Sequence, residues 1–273
     1  MKLQVLVAAM HQKDHSLIDK MNIKTDAIVA NQCDTDSVER FEHNGNSVMY
    51  LNFAERGVGL NRNNALMRAD GDVLVFADDD EIFVDDYENA IKRAYNELPD
   101  ADAIVFNIIT LGKDVGRRDI TKISKLNFFN ALNYGTARLT VKNSSIKRCN
   151  INFSRKFGGG TEYSSGEDTL FMCDMLKNKL NVYAYPALIA GVDQTDSTWF
   201  DGYNERYFFD RGALFAAISK RYGQVLCDLM LLKNKKHFFD NNVISCKDAM
   251  RLTRTGRKYY FNNITYADWK EKR

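Results

Sequence analysis

The sequence predicts an α/β fold: a mostly parallel central sheet flanked by helices, followed by a C-terminal helical extension. Three observations carry this expectation. Short apolar runs alternate with helical patterns across residues 3–111, the rhythm of parallel strands joined by right-handed crossovers. One run, Val73-Leu74-Val75-Phe76-Ala77, is apolar throughout, as expected of a strand buried on both faces. From Tyr203 onward the periodicity is helical only. The division this suggests is residues 1–200 as the α/β domain and 201–273 as the helical region.

Taken in order, Leu3 to Ala9 reads as the first strand. The opening MKLQVLVAAM could pass for a short signal peptide, but it lacks a clear small-x-small cleavage site. Residues 14–21 form a short helix. Asp26 to Ala30 is a second strand, ending at Asn31-Gln32-Cys33-Asp34. Ser47 to Leu51 is a third, followed by the loop Ala54 to Gly59, and 61–69 reads as a helix. A Gly71-Asp72 turn then opens the apolar strand. Between Asp85 and Leu98, Tyr87, Ala90, Ile91, Ala94, Tyr95 and Leu98 share one helical face. Ala103 to Leu111 is a further strand. Residues 112–148 have weaker periodicity and read as a loop-rich insertion leading to a strand near Ala137–Val141. After Gly158-Gly159-Gly160 come Ser164-Ser165-Gly166-Glu167-Asp168, a helix through Lys179 and a strand over Val182–Tyr185. The last helices are expected over 203–220, 223–232 and 245–255.

Composition narrows the class. A net charge of +2 argues against a general nucleic-acid binder, so no nucleic-acid partner is expected. The five cysteines are scattered, with no CxxC pair, which points to free thiols in a reducing, cytoplasmic setting. No apolar run reaches the roughly 18 residues of a membrane span. Lys233–Arg273 is basic and aromatic; it could rest on an anionic membrane surface or form a solvated helical tail.

The chemistry concentrates where the apolar strand ends on Asp78, Asp79, Asp80 and Glu81. Four consecutive carboxylates repel one another and resist burial, so folding alone gives no reason to collect them. A hard divalent cation, Mn²⁺ or Mg²⁺, would supply one; a solvated acidic loop is the alternative. Open α/β sheets also bind ligands at the carboxyl ends of their strands.

Two further stretches belong with the acids: Arg56-Gly57-Val58-Gly59-Leu60-Asn61-Arg62-Asn63-Asn64 upstream, and Gly166-Glu167-Asp168 behind a glycine-rich loop. In order and spacing, GLNRNNALMRADGDVLVFADDDE and FGGGTEYSSGEDTLF resemble the family 2 glycosyltransferases of the GT-A fold. The resemblance covers about residues 2–215. It implies an inverting, metal-dependent enzyme of the hexosyltransferase type, with 1–200 as its nucleotide-sugar-binding and catalytic domain. The enzyme would move sugar from a nucleotide-diphosphate sugar, a UDP-sugar, to a glycan or lipid-linked oligosaccharide in surface-polysaccharide synthesis. It would work at the inner face of the membrane.

By the same resemblance Asp80 ligands the metal, and Asp78 holds the ribose or a metal-bound water. Gln32, Asp34, Arg56, Arg62 and Asp79 join Asp78 in the donor-binding set; for Asp79 and Glu81 a helix cap or solvated turn is the better reading. Asp168 is the general base, with Glu167 and Trp199 toward the acceptor. Helix capping competes for the first two, because Ser164-x-x-Glu167 fits a capping box and Asp168 suits a first turn. Trp199 could instead pack against the C-terminal helices. The chain departs from the family at Asn31-Gln32-Cys33-Asp34, where Val-Asp-Asp-Gly-Ser is commoner, and at Ala8-Ala9-Met10-His11, where Pro-Thr-Tyr-Asn is usual.

Other classes fit less well. A sugar-nucleotide pyrophosphorylase needs a glycine-rich basic signature near the first strand, which Leu3–Lys13 lacks. A non-catalytic nucleotide- or glycan-binding homologue would be marked by loss of Asp80 or Asp168, and both are present. The acids do not have the spacing of an EF-hand.

Overall fold

The computed structural model describes residues 1–111, 119–193, 202–239 and 244–272. Its strands are β1 (Leu3–Met10), β2 (Asp26–Gln32), β3 (Ser37–His43), β4 (Asn46–Phe53), β5 (Val73–Asp78), β6 (Glu81–Phe83), β7 (Ala103–Leu111), β8 (Ser124–Lys125), β9 (Leu139–Lys142) and β10 (Val182–Asp193). Its helices are α1 (Leu17–Lys20), α2 (Val58–Arg68), α3 (Tyr87–Glu97), α4 (Asn143–Cys149), α5 (Glu167–Lys177), α6 (Glu205–Ile218), α7 (Gly223–Lys233), α8 (Lys235–Phe239), α9 (Cys246–Tyr260) and α10 (Tyr266–Glu271). The contacts divide into two units. The first comprises Met1–Phe153 and Phe171–Asp196, the second Ser154–Leu170 and Ser197–Arg273.

The first unit is built on a sheet of order β3-β4-β2-β1-β5-β9-β7-β10-β6, with β8 beside β10. β4, β2, β1 and β5 pair in parallel, as do β7 and β10. Antiparallel pairs enter where β9 lies between β5 and β7, and at β3, β6 and β8. Alternation along each strand sends residues to opposite faces. Val5, Val7, Val73, Val75 and Ala77 join one core with Tyr87, Ile91 and Tyr95 of α3. Leu6, Leu74 and Phe76 join the other with Ala65 and Leu66 of α2 and Phe171, Met172 and Met175 of α5. Helices on both faces are why β5 stays apolar until Asp78.

Three departures from the expected elements have local causes. Periodicity assigns no element to residues 35–46, yet β3 and β4 form a hairpin around Asn44 (φ 50°) and Gly45 (φ 79°). Asn-Gly is the dipeptide such a turn demands. The strand expected to stop at Tyr185 runs on to Asp193; its register with β7 shifts between Ala184 and Ala190, around Pro186, which has no N–H to give. Within the expected loop-rich insertion, α4 forms over Asn143–Cys149. Residues 112–118 of that insertion, and Trp199, lie outside the described residues.

In the second unit α6 packs across α9, and two glycines permit it. A Cβ on Gly212 would lie 2.0 Å from the Thr253 carbonyl oxygen, and one on Gly256 would lie 1.9 Å from that of Phe209. Ala249, Leu252, Thr253 and Gly256 of α9 are buried. The reading of 233–273 as a solvated tail is therefore corrected for α9, one face of which is core. Among the described residues, no helix is long and apolar enough to cross a membrane.

Candidate active site

The parallel register brings the carboxyl ends of four strands to one edge of the sheet. Asp78 pairs with Ala8, Met10 with Gln32, and Gln32 with Phe53. The acid run turns there, and its members point to different partners. Asp78 is half-buried and accepts a 2.6 Å bond from Arg62, which is itself buried on α2 and lies over the Phe153 ring. Asp79 accepts from the Met10 N–H at 3.1 Å and the Gln12 side-chain amide at 3.2 Å. Burial raises its pKa, while the Met10 N–H opposes the rise. Asp80 is exposed. Glu81 is 1% exposed, and its Oε1 accepts the Asp78 N–H at 2.8 Å while Oε2 is buried without a hydrogen-bond partner among the described residues. Burial, and next the charge of Asp78, push its carboxyl well above the ordinary range.

The remaining donor-side candidates hold the loop that leads into α2. The Gln32 side-chain oxygen accepts the Gly57 N–H at 2.8 Å, and Gly57 has φ 117°. Arg56 donates to Asp34 at 2.7 Å and to the Cys33 carbonyl at 2.8 Å, all at the surface. Asn31 bonds both the Gln12 backbone and Asn52. Within α2, Asn61 donates to the Ala30 carbonyl, and Asn63 exchanges two bonds with the Phe153 backbone. Asn61, Asn63, Gln12 and Asn52 escape a reading by motif. The run Asn61-Arg62-Asn63-Asn64 nevertheless carries a signal, because four consecutive helical residues cannot all face water.

The other candidates, Glu167 and Asp168, begin α5 in the second unit. Gly166 precedes them with φ 123°, and a Cβ there would lie 2.6 Å from Leu214 Cδ1. The expected capping box is corrected. Ser164 gives its N–H and hydroxyl to buried Asp210, at 3.0 and 2.8 Å, while the Glu167 carboxylate accepts the Gly166 N–H at 3.2 Å. Asp168 is half-buried and accepts the Thr169 N–H at 2.7 Å.

Residues 15–151, just over half of the chain, match the family model for glycosyl transferase family 2. The chain belongs to this family. A search of curated protein sequences returned no match. Among solved structures, S. aureus TarS 1-349 in complex with UDP-GlcNAc is similar at TM-score 0.64 and 13% identity, over 97% of this chain and 93% of that one. TarS 1-349 in complex with UDP is similar at TM-score 0.63 and 14% identity, over the same shares. A longer TarS structure matches at TM-score 0.63 and 15% identity, over 88% of this chain and 45% of that one. At these identities the likeness concerns the fold.

In this glycosyltransferase, then, Arg62 meets Asp78, Arg56 meets Asp34, and Gln32 secures Gly57. Among the described residues no group of three His, Cys, Asp or Glu side chains could hold a metal ion. Within the run Asp79 is turned to Met10 and Glu81 is buried, whereas Asp78 is half-buried and Asp80 exposed. A hard cation can be held by one or two carboxylates together with substrate phosphates. The solvated-turn reading of Glu81 is corrected, since its side chain lies inside the turn. A raised folded-state pKa means that Glu81 favours folding fully below its unfolded value of about 4.5, an advantage lost as pH rises through the folded pKa. Glu81→Gln keeps the acceptor for Asp78 but cannot ionise. Relative to the wild type, its thermal midpoint should rise as pH is raised above about 4.5. Parallel midpoint curves would show that Glu81 ionises in the folded chain as it does in the unfolded one.

Proposed function

We propose that this glycosyltransferase moves a sugar, with inversion, from a UDP-sugar to a hydroxyl of a surface-polysaccharide acceptor, and needs Mn²⁺ or Mg²⁺ to do so. The carrying observation is the Arg62–Asp78 pair beside exposed Asp80 at the carboxyl edge of β1, β2, β4 and β5. That edge is suited to a nucleotide diphosphate. Asp80, with Asp78 beside it, holds the cation, which when bound neutralises charge growing on the leaving diphosphate. Arg62 fixes Asp78 and adds positive charge for the phosphates. Gln32, Asp34, Arg56 and Asp79 shape the nucleotide side through the Gly57 loop and the Met10 contact. UDP-GlcNAc and UDP in the TarS structures support a uridine donor.

Asp168 takes the acceptor's proton, with Glu167 and Trp199 on the acceptor side. These groups fall within residues 1–200, with 201–273 as a helical extension. The enzyme works in the cytoplasm on a glycan or lipid-linked oligosaccharide, and the basic stretch Lys233–Arg273 draws it to the inner membrane face.

Calorimetry with UDP tests the metal. Affinity should be at least about tenfold higher with Mn²⁺ than with chelator. Asp80→Ala should erase that difference while the thermal midpoint stays put. Equal UDP affinity in both conditions for the wild type would reject the metal-dependent reading.

A further inference from the structure

The basic stretch begins at Lys233, and a strongly exposed apolar face of the second unit lies just before it. On α7, Val225, Leu229 and Leu232 are 59%, 57% and 54% exposed, and Tyr222 and Leu226 flank them. At about 100° per residue these five positions occupy an arc of roughly 120°, along a helix about 16 Å long. The opposite side of α7 is the buried one, through Gly223, Cys227 and Leu231. α7 thus already has its core contacts on the side away from this face.

The charge around this face is of one sign. Lys220 and Arg221 stand at its start, and Lys233, Lys235 and Lys236 at its end, all exposed. The one acid between them, Asp228, is turned to Arg254 of α9 at 3.0 Å. An apolar stripe between two cationic ends suits a surface with apolar depth and anionic headgroups. A second copy of this chain suits it poorly. Whether two α7 helices pair parallel or antiparallel, a cationic end meets a cationic end.

We propose that α7 is the membrane contact of this protein: Val225, Leu229 and Leu232 enter the headgroup–acyl boundary of an anionic bilayer, and the five flanking cations hold anionic phospholipid headgroups. The contact builds on the membrane-surface reading above and gives it a defined face. It is independent of donor and acceptor chemistry.

Co-sedimentation of the full chain with vesicles of equal parts phosphatidylcholine and phosphatidylglycerol tests it. The wild type should partition to these vesicles at low salt, and much less to phosphatidylcholine alone. Added salt should weaken the partition without abolishing it, because the apolar part is unscreened. The triple variant Val225→Gln, Leu229→Gln, Leu232→Gln keeps every cation and good helix formers, and should partition at least about tenfold less. Its circular dichroism and thermal midpoint should match the wild type. A wild type that ignores anionic vesicles overturns both the contact and the broader membrane reading. A folded triple variant that partitions like the wild type overturns α7 alone and leaves the stretch after Lys233. A lipid-free wild type that dimerises while the triple variant is monomeric assigns the face to a second copy, which also overturns the proposal.

Discussion

Asp168→Asn should lower sugar transfer by about 10²–10⁴-fold, the usual span for loss of a general base, with UDP affinity unchanged. The residue stands in the first turn of α5, half-buried, where its carboxylate accepts the Thr169 N–H. Asparagine keeps that bond, since its carbonyl oxygen can accept the same N–H. It cannot take a proton from an acceptor hydroxyl. A residue whose only task is to complement the helix start would respond differently. Loss of its charge would cost about 0.5–2 kcal/mol of stability, and turnover per folded molecule would survive. Thermal midpoint, UDP affinity and turnover on one preparation separate these outcomes. Undiminished turnover with a lowered midpoint would make Asp168 a helix-start residue and return the base to an unassigned group.

Gly256→Val should be the most damaging single change in the second unit. Its Cβ would lie 1.9 Å from the Phe209 carbonyl oxygen and 2.7 Å from the carbonyl carbon. Those are backbone atoms of α6 and cannot rotate away as a side chain would. Either α6 and α9 separate, exposing Ala249 and Leu252, or the backbone strains. Overpacking of this kind costs roughly 3 kcal/mol, against which the better helix propensity of valine returns only a few tenths. The thermal transition of the helical unit should fall by roughly 12–24 °C if it melts on its own. Gly159→Val is the control, because among the described residues nothing lies within 4 Å of a Cβ there. If the two variants melt alike, the α6–α9 crossing is looser than the structure has it.

The expected elements were legible wherever one short-range pattern decides the outcome. β5 reads as a strand because burial on both faces leaves no room for a polar residue before Asp78. α3 reads as a helix because one face alone meets the sheet. The resemblance read from Arg62 and the acid run likewise agrees with the family match, which spans residues 15–151. By itself, then, the sequence determined that the strands of the first hundred residues pair mostly in parallel and that β5 ends on an acid run; their order across the sheet came from the structure.

It did not determine how four adjacent acids divide their roles. One turn sends Asp78 to Arg62, Asp79 to the Met10 N–H and Glu81 inward, since β6 pairs with β10 over a hundred residues away in sequence. Ser164 has the spacing of a helix cap but meets Asp210, a partner 46 residues on. α9 has the composition of a solvated tail, yet Gly256 lets it press onto Phe209. In each case tertiary structure decided, for one physical reason. Periodicity records which side of an element faces away from water, whereas the partner of a polar group, or the backbone a glycine must admit, is set by whatever distant segment folding brings against it.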